Sequence, residues 1–244
     1  MITLTLVCIF IQYSLNGGAA VYYAKVVLHN AKLVGPMNLV ASVVQIVAMF
    51  FTAFIIKRIG KRNMLIIGAI VYGLGFGMFQ FVGTNYFGIM FASALKGIGN
   101  AGISSCMFAI VSDTIEYGEW KTGYRTEGLI NSASSFGFKV GNGLGSAMLG
   151  WILALGNYAE NAAVQSASSV MAIKALFIYI PVAVAILQIV IMLFYKLDKE
   201  YDGIVEDLRN GKDAKEVANY LSEKGYKNLY TYNVADWAKD ESLP

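Results

Sequence analysis

The sequence predicts an all-helical integral membrane protein, a bundle of six transmembrane helices followed by a polar tail. Three observations carry this. Hydrophobic residues make up 57% of the chain and charged residues only 14%, where a soluble domain usually carries about a quarter charged residues. The apolar residues fall in six continuous runs, each near the roughly 20 residues that cross a bilayer. The charge is also badly mixed: residues 1–195 hold 11 Lys/Arg and 5 Asp/Glu, net +6, whereas residues 196–244 hold 8 and 11, net −3. Continuous runs, rather than ten-residue alternating segments, exclude an outer-membrane barrel.

The spans are expected at approximately 2–28, 36–56, 63–83, 86–111, 126–154 and 171–195. The first follows Met1 without a basic leader or a small-residue cleavage site and is too long for a signal-peptide core, so it reads as a mature helix. It carries Gln12 and Asn16, then Gly17–Gly18. The second carries Asn38, Ser42 and Gln45, and the fourth Lys96, Asn100 and Ser104 on one face at i, i+4, i+8. Such side chains face other helices or a water-filled cavity; several helices each presenting a stripe favour a shared cavity. Pro181 lies within the sixth span, where a kink is tolerable because neighbours re-satisfy the freed carbonyl.

Short loops set the orientation. Lys57, Arg58, Lys61 and Arg62 lie between the second and third spans, Lys121 and Arg125 between the fourth and fifth, and Lys196 and Lys199 after the sixth. By the positive-inside rule both termini are cytoplasmic, in a multi-pass protein of the cell (plasma) membrane. Residues 196–244 read as a cytoplasmic tail, partly helical over 197–209 and 213–224, the second piece capped by Asp213 and closed by Gly225.

The fifth span is the unusual one. Asn131, Ser135, Lys139, Asn142 or Gly143, and Ser146 recur every three or four residues, so one face is polar throughout. Gly137, Gly141 and Gly145 repeat every four residues on another side, a face for close helix contact. Lys139 lies 14 residues beyond Arg125, about 21 Å along a helix, near mid-bilayer. An ammonium there costs at least about 2.5–3.5 kcal/mol unless a cavity or counter-ion meets it. No Asp or Glu lies deep in any span, so Lys139 and Lys96 are both expected to be unmatched within this chain.

Other chemistries are excluded. Cys8 and Cys106 fall inside apolar runs without metal or disulfide spacing and read as buried free thiols. His29 has no catalytic partner. Asp113 and Glu116 share a helix face, but at a membrane boundary amid cations they read as ion-pairing groups. No His/Asp or Ser/His cluster sits in a span, so the chain is not expected to be an enzyme, to hold a metal or cofactor, or to bind nucleic acid.

The stretch D-T-I-E-Y-G-E-W-K-T-G-Y-R from Asp113, the later S-S-F-G-F-K-V-G around Lys139, and F-Y-K-L-D-K-E-Y after the last span resemble the glycoside–pentoside–hexuronide:cation symporters, melibiose-permease-like transporters of the major facilitator superfamily. The loop K-R-I-G-K-R is similar to that superfamily's loop signature, with Lys57 where an Asp is common. The resemblance covers residues 1 to about 208. It implies the C-terminal six-helix half of a twelve-helix transporter, itself a 3+3 inverted repeat, with a complementary N-terminal half as partner and the lipid bilayer as surroundings. It implies symport of a sugar with a coupling cation, Na⁺, Li⁺ or H⁺. The cation-binding carboxylates would lie in the other half, and the lysine matching Lys139 would face them across the cavity. Asp113, Glu116, Glu119, Lys121, Arg125 and Glu127 match a cytoplasmic charged network that holds the inward gate. The family's tryptophan near the sugar corresponds to Ser104, so that stacking contact is absent. Lining the site are then Lys139, Ser135, Asn131, Asn142, Asn16, Gln12, Asn100, Ser104 and Lys96. The alternative is a truncated, non-transporting membrane interaction or sugar-sensing remnant.

Overall fold

A computed structural model describes residues 1–122, 127–160, 162, 164–195, 198, 201 and 203–205. No strand occurs among them. Helix α1 (Ile2–Tyr22) runs on through a π-helical turn, Tyr23–Val27, and a short 3-10 turn, Ala31–Leu33, leads into α2 (Val34–Ile59). Gly60, at φ 84°, breaks the chain between α2 and α3 (Lys61–Val82), a left-handed position that glycine takes without steric cost. Then come α4 (Tyr86–Thr122), α5 (Glu127–Leu155), α6 (Ala167–Lys174), a second π-helical turn at Ala175–Tyr179, and α7 (Ile180–Leu193).

Among the described residues, five segments are long and apolar enough to cross a membrane: 2–27, 31–59, 61–82, 86–121 and 167–193. Helix α5 has the length, at 29 residues, but its asparagines, serines and Lys139 lower its hydropathy and leave it outside that set. The fourth helix does not end near 111 as expected. It continues for 11 residues, because the charged stretch after Val111 keeps helical backbone beyond the end of the apolar run. Most of the expected tail helices, 197–209 and 213–224, and Arg125 lie outside the described residues.

The chain divides into two compact units, Met1–Phe108 with Ala133–Tyr195, and Ala109–Ser132 with the segment from Lys196 onward. In the first unit α7 packs along both α1 and α3. Its core holds Leu15, Tyr23, Tyr72, Phe76, Phe79, Leu176 and Phe177, all essentially inaccessible. Both π turns meet there. Tyr23 from the first stacks on Phe177 from the second, with centroids 4.4 Å apart, and its hydroxyl donates to the Phe79 carbonyl at 2.9 Å. A π turn frees a backbone carbonyl and widens the helix, so Pro181, which lacks an N–H, sits just after one without breaking the span. The outer face of α2 is apolar and exposed, with Leu39, Ile46, Phe50, Phe51 and Phe54 uncovered, the arrangement a lipid-facing helix needs.

Candidate functional site

Helix α5 presents two faces. On one, Gly137, Gly141 and Gly145 are buried against α1. A Cβ on Gly141 would lie 2.7 Å from both Phe10 Cβ and the Val7 carbonyl, and one on Gly145 2.7 Å from Ser14 Cβ. Only glycine permits that approach. Ser14 reinforces the seam, donating to the Asn142 carbonyl at 3.3 Å and lying 3.1 Å from the Ser146 hydroxyl. On the other face Asn131, Ser135 and Lys139 are exposed, and Asn142 is half-buried with its amide donating to the Phe138 carbonyl at 3.0 Å. Among the described residues no hydrogen bond or ion pair reaches Lys139. Its charge stands on an open face.

A second polar group lies between α1, α2 and α4. The Asn100 amide donates to Gln45 Oε1 at 2.9 Å, Gln45 Nε2 donates to the Ser104 hydroxyl at 3.3 Å, and the Tyr13 hydroxyl lies 2.8 Å from Ser104. Asn100 Oδ1 is buried without a partner among the described residues, an acceptor left over in an otherwise connected network. Helix contact here is close because Gly97 meets the α2 backbone at Ala41 and Gly99 meets the α3 backbone at Tyr72.

Lys96 corrects one expectation. It is 4% exposed, and its ammonium donates to Asn16 Oδ1 at 2.7 Å. It lies 4.3 Å from the Phe76 ring centroid and 5.0 Å from that of Phe177. An amide oxygen and aromatic faces satisfy it where a carboxylate was sought, so Lys96 is matched within this chain. Gln12 is a second correction. It is buried in the α1–α7 seam, donating to the Pro181 carbonyl at 3.1 Å, and lines no open face. Of the expected site residues, then, Asn16 and Lys96 pair, Asn100 and Ser104 join one network, and Asn131, Ser135 and Lys139 share the α5 face. Tyr13 and Gln45 complete the network. The signal for Tyr13 was its position three residues before Asn16, on the same side of the helix.

The second unit holds the charged residues. Asp113 is buried, Tyr201 donates a hydrogen bond to Glu116, and Lys121 lies over the Tyr117 ring at 5.9 Å. Glu119 and Glu127 also have partners. Burial, helped by the Glu116 and Asp113 carboxylates, raises the Tyr201 phenol above its ordinary range. It therefore keeps the proton it donates.

Comparison with known proteins places this geometry in context. Residues 1–199 match the family described as MFS/sugar transport protein. The isoprimeverose transporter of Lactiplantibacillus pentosus is 34% identical over 201 residues, 81% of this chain and 41% of that protein. The glucuronide carrier protein homolog of Escherichia coli (strain K12) is 32% identical over 219 residues, 88% and 48% respectively. A putative sulfoquinovose importer of the same organism is 29% identical over 213 residues, 86% and 45%. The chain spans about half the length of the curated relatives it matches.

Proposed function

The chain belongs to the MFS/sugar transport protein family, multi-pass membrane transporters rather than enzymes, and from that premise we propose that it supplies the C-terminal six-helix half of a cation-coupled sugar symporter. The observation that carries the reading is α5: one face is locked to α1 by glycines, and the opposite face leaves Asn131, Ser135 and Lys139 uncovered. A cation on a mid-membrane face needs water or a negative partner. In the proposed transporter the complementary half supplies it, as carboxylates that bind Na⁺, Li⁺ or H⁺.

The substrate class is a glycoside, pentoside or hexuronide, supported by relatives named for isoprimeverose, glucuronide and sulfoquinovose. Two six-helix bundles would rock about the midplane site, and cation binding would raise sugar affinity through their shared occupied state. The charged group around Asp113, Glu116, Glu119, Lys121, Arg125 and Glu127 would act as the inward gate on the cytoplasmic side of the cell membrane.

Replacing Lys139 with alanine in the complete transporter tests this. Cation-driven uptake is expected to fall to background with membrane insertion unchanged. Uptake at the unmodified level would overturn the reading.

A further inference from the structure

The face shared by α3 and α7 carries a feature that transport does not use. An apolar groove of about 460 Å³ runs between them, walled by Ile70, Leu74 and Phe81 on one side and Val182, Ile186 and Ile189 on the other, with Gly73 and Gly77 at its floor. Along α3 it extends from Ala69 to Phe81, about 18 Å at 1.5 Å per residue. The length is close to the roughly 15 Å of one leaflet's hydrocarbon. An apolar slot of that length suits an extended acyl chain.

One end is basic. Arg62 at the start of α3 reaches across to the end of α7, donating to the Met192 carbonyl at 2.9 Å and the Leu193 carbonyl at 2.7 Å. The guanidinium thus bridges the same two helices that form the groove, about one turn beyond Ile189. Lys61 adjoins it, and the exposed Lys57 and Arg58 precede it by a few residues. Nothing polar lines the groove itself. A ligand with one extended apolar chain and an anionic head matches both parts. Clusters of Lys and Arg at the membrane surface attract such heads.

We propose that the α3–α7 groove binds an anionic phospholipid, its acyl chain between Gly73, Gly77 and Ile186 and its phosphate at the Lys57–Arg62 basic end. The test is thermal unfolding of the detergent-purified chain with added phosphatidylglycerol, phosphatidylcholine of the same acyl chains, or sn-glycerol 3-phosphate. Phosphatidylglycerol is expected to raise the midpoint more than phosphatidylcholine, and glycerol phosphate not at all. Gly77→Leu projects a side chain from the groove wall, where the added Cβ meets nothing within 4 Å. It is expected to unfold normally without lipid and to lose the response to both lipids; Ile186→Phe repeats the test from the other wall. Replacing Lys57, Arg58 and Lys61 with glutamine is expected to reduce the phosphatidylglycerol response to that of phosphatidylcholine. Equal responses to the two lipids in the unmodified chain, a full response to glycerol phosphate, or a full lipid response in both groove-filling variants would overturn the proposal.

Discussion

Two lysines at similar depth in the sequence differ in what surrounds them. Lys96 donates to Asn16 among three phenylalanine rings, whereas Lys139 stands exposed on α5. Their truncation should therefore separate stability from transport. Lys96→Ala removes a charged hydrogen bond and leaves a cavity, together about 2–4 kcal/mol; its thermal midpoint is expected to fall by several degrees, while that of Lys139→Ala stays near the unmodified value. Equal midpoints would contradict the assignment of Lys96 as a core group. Gln188 gives the opposite expectation. It is fully buried, and among the described residues neither its amide nitrogen nor its oxygen has a partner. Gln188→Met keeps the volume and removes unsatisfied polar atoms costing about 1–3 kcal/mol, so thermal unfolding should shift upward; a downward shift would mean that the amide is satisfied in the bilayer. The pairing of Lys96 was not legible in the sequence because an amide oxygen with aromatic faces leaves no charge signal.

At the scale of helices, periodicity was the dependable guide. The four-residue spacing of Gly137, Gly141 and Gly145 marked the face that meets α1, and the offset polar residues marked the uncovered face. Gly141→Leu is accordingly expected to weaken the α1–α5 seam and lower the unfolding midpoint sharply. Gly143→Leu, where a Cβ meets nothing within 4 Å, should be tolerated and even gain about 1 kcal/mol from helix propensity. Similar losses in both variants would show that the seam is not glycine-dependent. Hydropathy failed where helix and membrane part company. Helix α4 has 37 residues, about 56 Å, against a hydrocarbon core of about 30 Å, and the apolar run marks only the part inside. The π turns left no mark in the hydropathy pattern, and the stacking of Tyr23 on Phe177 where they meet joins residues far apart in the chain.

For the whole molecule, composition and charge asymmetry sufficed for an all-helical membrane class, and the D-T-I-E-Y-G-E-W-K-T-G motif for the family. The three-dimensional sorting of polar residues into a buried α1–α2–α4 network and an open α5 face required the structure, because spacing within one helix does not say which neighbour covers it. In the proposed transporter the α5 face borders the water-filled path of sugar and cation. Labelling of Ser135→Cys by a charged, water-soluble thiol reagent tests it directly in that transporter, since Cys8 and Cys106 are buried and serve as internal controls. The expected result is rapid modification at Ser135→Cys that slows when sugar and coupling cation are both present, with no modification at Phe54→Cys on the exposed apolar side of α2. Failure of Ser135→Cys to react, or reaction at a rate that sugar and cation do not alter, would contradict the claim.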